Sequence, residues 1–154
     1  MKFYMKIKNL LLLIIALMPM ELMAQSDIGL SVSYLPSDTT ILIHIANNAD
    51  KTMRIRNDDG SGSGSLVQFH LKDKAGKEIS LYDAAFFEGI DYQRFIDINP
   101  HSTKTFRYRL KFLCPSSHSA TDVYSVDVSC FMNYSIPEKE LYEFFHKVLS
   151  VKTK

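Results

Sequence analysis

The sequence predicts an all-β protein folded as an antiparallel β-sandwich of about seven to eight strands. Three observations support this fold class. Apolar and polar residues alternate with a period of two over most of the chain, the alternating segments are short and closely spaced, and turn residues separate them. A helical period is almost absent before the C-terminal stretch. Many short strands in this arrangement are typical of a sandwich or barrel.

Two segments show the alternation most clearly. In "TKTFRYRLKFL", the aromatic and leucine residues from Phe106 to Phe112 alternate with basic residues. In "VYSVDVSCFM", the even-numbered residues from Tyr124 to Met132 form one face, which we expect to be buried. The other predicted strands are "IGLSVSYL" from Ile28, "TILIHIAN" from Thr40, "KTMRIRN", "SLVQFHLKD", "GKEISLY" and "QRFIDI".

The C-terminal stretch "SIPEKELYEFFHKVLSVKTK" fits two patterns. Ser135 and Glu138 form a capping box, and Pro137 suits a first helical turn. The end of the stretch alternates as a strand does, and a sandwich needs a last strand to cover an open edge. We therefore predict a short helical turn from Pro137 to Phe144, followed by a final strand from about Lys147.

The N-terminal residues 1–24 are predicted to be a secretory signal peptide. Three lysines precede an uninterrupted apolar run from Leu10 to Met18, and "LMA" at Leu22 is a suitable cleavage site. The run is shorter than the ~20 residues that a membrane span requires. We expect no stable membrane span after cleavage, and a periplasmic or secreted protein.

Residues 25–154 are expected to form one domain. After cleavage the chain keeps 15 basic side chains (18 minus Lys2, Lys6 and Lys8) against 16 acidic ones (17 minus Glu21). A nearly neutral surface gives no electrostatic reason to expect nucleic acid as a partner.

Three stretches carry a resemblance to a known fold family: "IANNADKTMRI", "VQFHLKDKAGKEI" and "INPHSTKTFRYRL". Together they resemble the immunoglobulin-like β-sandwich domains of small exported bacterial proteins, and their layout is similar to that of the intracellular proteinase inhibitor family. The matching turns are Asn47–Lys51, Asp73–Glu78 and Asn99–Pro100. The resemblance implies an immunoglobulin-like fold. The chain lacks tryptophan and has Asp122-Val123-Tyr124 where the family has a Pro-Gly-Tyr turn. No inhibitory loop is carried over.

Tyr124, Cys114 and Cys130 are interpreted as structural residues. Tyr124 begins a strand, where sandwich folds place a tyrosine whose hydroxyl ties down the preceding corner. Both cysteines are predicted to face the core from different strands, with Cys130 about 26 Å from the turn that joins them, whereas a disulfide needs Cα atoms within about 7 Å. We expect free thiols, although export leaves a disulfide chemically open.

Candidate metal and catalytic motifs are weak. The loop "RNDDGSGSGSLVQ" has Gln68 where a calcium loop needs a bidentate Glu, and a strand follows where a phosphate loop needs a helix. The sequence does not exclude a weak surface ion site at Asp58 and Asp59. The five histidines have no ligand spacing, and no nucleophile motif is present. We therefore predict a protein that is not an enzyme and needs no cofactor or metal.

The segment "FFEGIDYQRF" is the predicted binding site. It interrupts the strand pattern with four aromatic residues and an arginine, which are residue types that anchor protein interfaces. The predicted contact residues are Phe86, Phe87, Tyr92 and Arg94. One alternative is that Phe86, Phe87 and Phe95 cover an open end of the core, and another is a glycan-binding surface.

These features together favour an exported, non-catalytic binding domain that acts through protein–protein contact. An inhibitor or immunity-type role is one form of that function. The partner would be an unidentified protein in the cell envelope or outside the cell. The alternative is a carbohydrate- or ligand-binding accessory domain of the envelope.

Overall fold

A computed structural model describes residues 26–58, 63–86 and 93–151. These residues form an all-β fold of antiparallel ladders, which confirms the predicted fold class. The strands are β1 (Ile28–Leu35), β2 (Thr40–Asn47), β3 (Met53–Arg56), β4 (Leu66–Lys72), β5 (Glu78–Ala85), β6 (Phe95–Ile98), β7 (Thr103–Arg109), β8 (Ser125–Ile136) and β9 (Lys139–Ser150). One turn of α-helix, α1 (Leu110–Leu113), and a 3-10 turn (Ala120–Asp122) lie between β7 and β8.

The smaller sheet contains three strands in the order β1-β2-β7. Its central strand, β2, has the alternation that the sequence predicts: Ile41, Ile43 and Ile45 are fully buried, and the residues between them are half-buried. β-branched residues at every second position suit a strand with one face in the core. This sheet forms one wall of the sandwich.

The larger sheet is organised around β8. β9 pairs with β8 along its full length, from Ser125 opposite Ser150 to Ile136 opposite Lys139. On the other edge of β8, β4 pairs with residues 125–131 and β3 pairs with Tyr134 and Ser135. β3 and β4 therefore lie end to end along one edge of the same strand.

The next pair of strands repeats this arrangement. β5 pairs with β4 as far as Ala85 opposite Leu66, and β6 pairs with β3 from Phe95 opposite Arg56. β3 and β5 therefore end, and β4 and β6 begin, at the same level of the sheet. Asn57, which follows β3, connects to the residues before β6, because its backbone N–H donates to the Arg94 carbonyl at 2.9 Å.

If β3 with β4 and β5 with β6 are each counted as one interrupted strand, the described residues form seven strands, three in one sheet and four in the other. The first, second and fifth form the small sheet, and the fourth lies beside the third in the large one. Variable-type immunoglobulin domains also place an additional strand, C′, beside C in the sheet that holds F and G. The family resemblance itself stays a prediction.

The two sheets meet through aromatic contacts. The rings of Phe69 on β4 and Tyr108 on β7 have centroids 4.9 Å apart, and Phe86 meets Phe106 edge to face at 5.1 Å. The Tyr108 hydroxyl donates to the Ala85 carbonyl at 3.2 Å, so this buried polar group is satisfied. These pairs connect the large sheet, and the segment after β5, to β7.

The predicted continuation of β7 to Phe112 and Cys114 is wrong. The strand ends at Arg109 and α1 follows, with Leu110 and Leu113 buried and Phe112 68% exposed. A helical turn places residues three apart on the same side, so both leucines reach the core, whereas a strand would have buried Leu110 and Phe112. The Leu110 N–H donates to the Thr39 carbonyl at 3.0 Å and fixes this turn against the β1–β2 connection.

The predicted C-terminal helical turn is also wrong. β8 continues through Ser135 to Ile136, and residues 139–150 return as the unbroken strand β9. The turn has Pro137 followed by Glu138 at a φ of 74°, as a type II turn requires. The pairing of all twelve residues of β9 with β8 replaces the hydrogen bonds that a helix would have made.

Among the described residues, neither helical turn is long and apolar enough to cross a membrane. The predicted signal peptide lies outside the residues that the structure describes.

Replacing Glu138 by glycine tests the hairpin. Glycine has no Cβ penalty at positive φ, so Glu138→Gly is expected to raise the free energy of unfolding by about 0.5–1 kcal/mol. The matched change Lys139→Gly, one residue into β9, should lower it by a similar amount. Urea denaturation of both variants measures the difference. A loss of about 1 kcal/mol for Glu138→Gly would instead support the helix, because glycine is unfavourable in a helix interior.

Candidate functional site

Of the four predicted contact residues, the structure describes two, and it places them in different environments. Phe86 is fully buried against Phe106, so its assignment as an exposed binding residue is wrong. Phe86 is a core residue that packs just beyond the end of β5. This agrees with the alternative that Phe86 covers an open end of the core. Phe87 and Tyr92 lie outside the described residues. Arg94 is exposed immediately before β6.

Arg94 belongs to a small surface cluster around Phe95. The Phe95 ring is 46% exposed, and the guanidinium groups of Arg54 and Arg94 lie 5.8 and 5.7 Å from its centroid. Arg54 also donates two hydrogen bonds to Asp97, at 2.7 and 2.8 Å. These bonds raise the pKa of Arg54 and lower the pKa of Asp97. Arg54 is thus held in a fixed orientation by its neighbours.

A second group of exposed aromatic residues lies on the outer face of the large sheet. We call it the aromatic face: Phe131 on β8, and Tyr142 and Phe144 on β9. Their exposed fractions are 42%, 73% and 60%, and the rings of Phe131 and Phe144 have centroids 5.0 Å apart. Phe131 is directly opposite Phe144 in the β8–β9 register, which brings the rings together.

A shallow groove runs beside these rings. It has a volume of about 410 Å³, and its lining includes the aromatic face together with Ser63, Gly64 and Asn133. The Asn133 side-chain amide donates to the Ser63 carbonyl at 2.7 Å. Ser63 and Gly64, which precede β4, therefore form one wall of the groove.

A polar pair holds this wall against β8. The Asn133 N–H donates to the Ser65 hydroxyl at 2.7 Å, and the same hydroxyl donates to the Asn133 carbonyl at 3.0 Å. Ser65 is fully buried, so both bonds are protected from water. The serine side chain thus replaces the strand pairing that β8 lacks between β4 and β3.

Beyond the aromatic face, the outer face of the large sheet carries polar cross-strand pairs: Lys72 with Asp127 at 2.6 Å, Gln68 with Asp83 at 3.0 Å, and His70 with Glu78 at 3.5 Å. Leu81 and Val148 are exposed among these pairs. The aromatic face therefore has a border of mixed character that includes polar pairs, and polar groups around an apolar centre are typical of an interface rim.

The sequence analysis missed Tyr142 and Phe144 because it placed both in a helical turn. On a helix, Tyr142 and Phe144 would not have shared a face. On a strand, they are two residues apart and point to the same side. A single-strand interpretation of residues 139–150 would have placed both residues beside Phe131, which the predicted parity of β8 already turned outward.

Tyr124 does not occupy the predicted inward position. Its side chain is 43% exposed, and the preceding residue, Val123, is the buried one. The Tyr124 N–H donates to the Lys72 carbonyl, and its carbonyl accepts from the Val151 N–H, both at 2.8 Å. The backbone of Tyr124 therefore ties the corner to two strands, with no need for the ring to enter the core.

Both cysteines are free, as predicted. Cys130 is fully buried on β8, and burial raises the pKa of its thiol to about 12. Cys114 is half-buried after α1; burial raises its pKa, with a smaller contribution from the Asp122 carboxylate. Neither environment favours the thiolate, which is the form that acts as a nucleophile or binds a metal.

Four of the five histidines have local partners, and one of them is His118, whose Nδ1 lies 3.0 Å from the Ser117 hydroxyl. His44 lies between the hydroxyls of Ser33 and Thr105, at 3.4 and 2.9 Å, and His101 contacts Asp50 at 2.8 Å. His70 pairs with Glu78 as described above. In residues 26–58, 63–86 and 93–151, no three His, Cys, Asp or Glu side chains come together as a metal site would require. Asp59 of the candidate ion loop lies outside these ranges.

Comparison with known proteins identifies no family. No family model and no curated protein matches the chain. A target of the Northeast Structural Genomics Consortium is similar in structure at a TM-score of 0.47 and 11% identity, over 82% of this chain and 88% of that one. A protein from Archaeoglobus fulgidus is similar at a TM-score of 0.33 and 11% identity, over 81% of this chain and 95% of that one. The function must therefore be argued from the chain itself.

The thiols give a direct test of the core. In the native protein at about pH 8, we expect Ellman's reagent to react slowly with Cys114 and not with Cys130, because the buried thiol is protonated and inaccessible. In denaturant both thiols should react. The Cys114→Ser variant is the matched control, and it should show no native reaction. Rapid reaction of both thiols in the native wild-type protein would contradict the burial of Cys130, and no reaction in denaturant would indicate a disulfide.

Proposed function

We propose that the chain is an exported, non-catalytic binding domain that acts through protein–protein contact and uses the aromatic face as its contact surface. It would act in the periplasm or outside the cell, and an inhibitor or immunity-type role is one form of this function. The observation that carries the proposal is the contiguous exposure of Phe131, Tyr142 and Phe144 on one sheet face.

The energetics of these rings favour a contact surface. The exposed part of each ring gains nothing from folding, and the same area buried under a partner contributes to binding. Aromatic residues at the centre of an interface commonly account for about 2 kcal/mol or more each. The border would exclude water once a partner covers the rings.

The position of the face also supports the proposal. Two of its residues are on β9 and one is on β8, so regular strands hold the rings. Side chains on a paired sheet lose less conformational freedom on binding than side chains on a loop, and this lowers the entropic cost of association. The groove beside Asn133 offers a partner a place for a protruding side chain.

The groove also favours one alternative, a carbohydrate- or ligand-binding accessory domain. Tyr142 is 73% exposed and lies beside the polar groups of Ser63 and Asn133. A flat ring with adjacent hydrogen-bonding groups is an arrangement that can bind a sugar. The two functions use the same surface, so the identity of the bound molecule separates them.

The test compares two variants that remove exposed aromatic rings. The chain from Gln25 is immobilised and exposed to envelope extract from its own source, and any protein recovered at stoichiometric yield is then purified for affinity measurement. The Tyr142→Ala/Phe144→Ala double variant should weaken that affinity by at least about 30-fold, the equivalent of about 2 kcal/mol. Phe112→Ala, which removes a ring of similar exposure on α1, should leave it unchanged.

Two results would count against the proposal. Equal affinity of the double variant and the wild-type chain would show that the partner binds elsewhere. Retention of the wild-type chain on a polysaccharide array, lost in the double variant and with no protein recovered from the extract, would establish the carbohydrate alternative.

A further inference from the structure

The outer edge of β9 has no paired strand among the described residues, and β1 of the small sheet lies close to β9. Within the described residues, β9 pairs with β8 and with no other strand. The Val151 N–H donates to the Tyr124 carbonyl, and the hairpin closes with Ile136 opposite Lys139, so the odd-numbered residues of β9 hydrogen-bond to β8. The backbone N–H and C=O groups of the even-numbered residues therefore point away from β8, along the free edge.

This edge lacks most features that prevent strands from pairing with other chains. β9 is twelve residues long, contains no proline, and pairs with β8 without a bulge. Long, regular edges of this kind are templates for another strand. Two inward-pointing charges, Glu143 and Lys147, protect the middle of the strand, because a strand laid beside them would bury both; Lys139 and Glu140 add charge at its first two positions.

Glu143 and Lys147 both lie on the inner side of the sheet. Glu143 is opposite the buried Met132 in the register, and its charge contributes to the raised pKa of the nearby Tyr134, after the larger effect of burial. Lys147 reaches across to the small sheet, where its ammonium group donates to the Val32 carbonyl at 2.9 Å. This bond uses one of the three lysine donors and leaves two available.

We propose that β9 pairs antiparallel with β9 of a second copy of this chain, with Phe145 opposite Phe145. In this register Glu143 of each copy is opposite Lys147 of the other, so both inward charges are neutralised. Leu141 is opposite Leu149, which extends the apolar inner row across the pair.

The charges select this register among the neighbouring ones. A shift that centres the pair on Phe144 places Glu143 opposite Phe145, and a shift that centres it on Glu143 places the two glutamates opposite each other. Like charges directly opposite across a strand pair are destabilising, and opposite charges are favourable. An unrelated strand would have to supply both complementary charges at the right spacing, whereas a second copy supplies them by symmetry.

The backbone geometry agrees with the charge pattern. The even-numbered residues carry the free N–H and C=O groups, and in this register Phe144 is opposite His146 and Tyr142 is opposite Val148. Each of these pairs can exchange two backbone hydrogen bonds. On the outer face, Tyr142, Phe144 and Val148 of both copies would then lie side by side on one continuous sheet. The pairing of the β9 strands is independent of what the aromatic face binds.

A charge-swap experiment tests the dimer. Sedimentation velocity of the chain from Gln25 should show a dimer at micromolar concentration. Glu143→Lys places lysine opposite lysine twice, and should raise the dimer dissociation constant by at least about tenfold. The double variant Glu143→Lys/Lys147→Glu restores both pairs with reversed polarity, and should dimerise as the wild-type chain does. Glu140→Lys, the same charge reversal opposite Ser150, is the matched control and should not change the constant.

Mixing gives a second test that does not depend on the double variant. An equimolar mixture of Glu143→Lys and Lys147→Glu chains should form a heterodimer, because two lysines of one chain face two glutamates of the other. A wild-type chain that remains monomeric at about 100 μM would overturn the proposal. A dimer that Glu143→Lys leaves unchanged would also overturn it, and would show that the copies meet through another surface such as the outer aromatic rings.

Discussion

The hydrogen bonding of β8 on both of its edges is the constraint on which the rest of the structure depends. One edge takes β9 along twelve residues, and the other takes β4 and β3 in succession. The inner face of β8 carries Val126, Val128, Cys130 and Met132 into the core. A strand that is paired on both edges and buried on one face has few ways to shift, since a slip by one residue would turn its apolar row to the solvent.

The position along β8 where pairing changes from β4 to β3 is also where the aromatic face and its groove lie. At this level β3 and β5 end and β4 and β6 begin. Asn57, which follows β3, connects to the residues before β6: its backbone N–H donates to the Arg94 carbonyl at 2.9 Å, and its side-chain amide donates to the Gln93 carbonyl at 2.5 Å. These bonds lie next to the wall of the groove.

The sequence predicted the strands well where one face is fully buried. Period-two alternation placed β2, β7 as far as Arg109, and the inward row of β8 from Val126 to Met132 correctly, because their apolar residues point into a core with two walls. It failed at β9, where Leu141, Phe145 and Leu149 point inward at a spacing of four residues. That spacing is a multiple of two and also lies close to the helical period, so the pattern is ambiguous and strand pairing decides the outcome. The aromatic face was missed for the same reason, since its β9 residues had been placed in a helix.

The orientation of Phe86 could not have been deduced from local pattern either. It follows directly after β5, whose own residues are mostly exposed or half-buried, and its burial depends on a contact with Phe106 on the opposite sheet. The end-to-end arrangement of β3 and β4 likewise depends on which part of β8 each strand meets. Both features arise from contacts between residues that are far apart in the sequence.

Hydrogen exchange of the β8 amides measures whether both edges of this strand are paired. If β8 is paired on both edges throughout, its amides from Val126 to Ser135 should exchange slowly as one cooperative unit. The Asn133 amide should be included, because its acceptor is the buried Ser65 hydroxyl. Slow exchange that stops after Phe131, with fast exchange at Asn133 and Ser135, would contradict the account, because it would show that β3 and the Ser65 side chain do not complete the edge of β8.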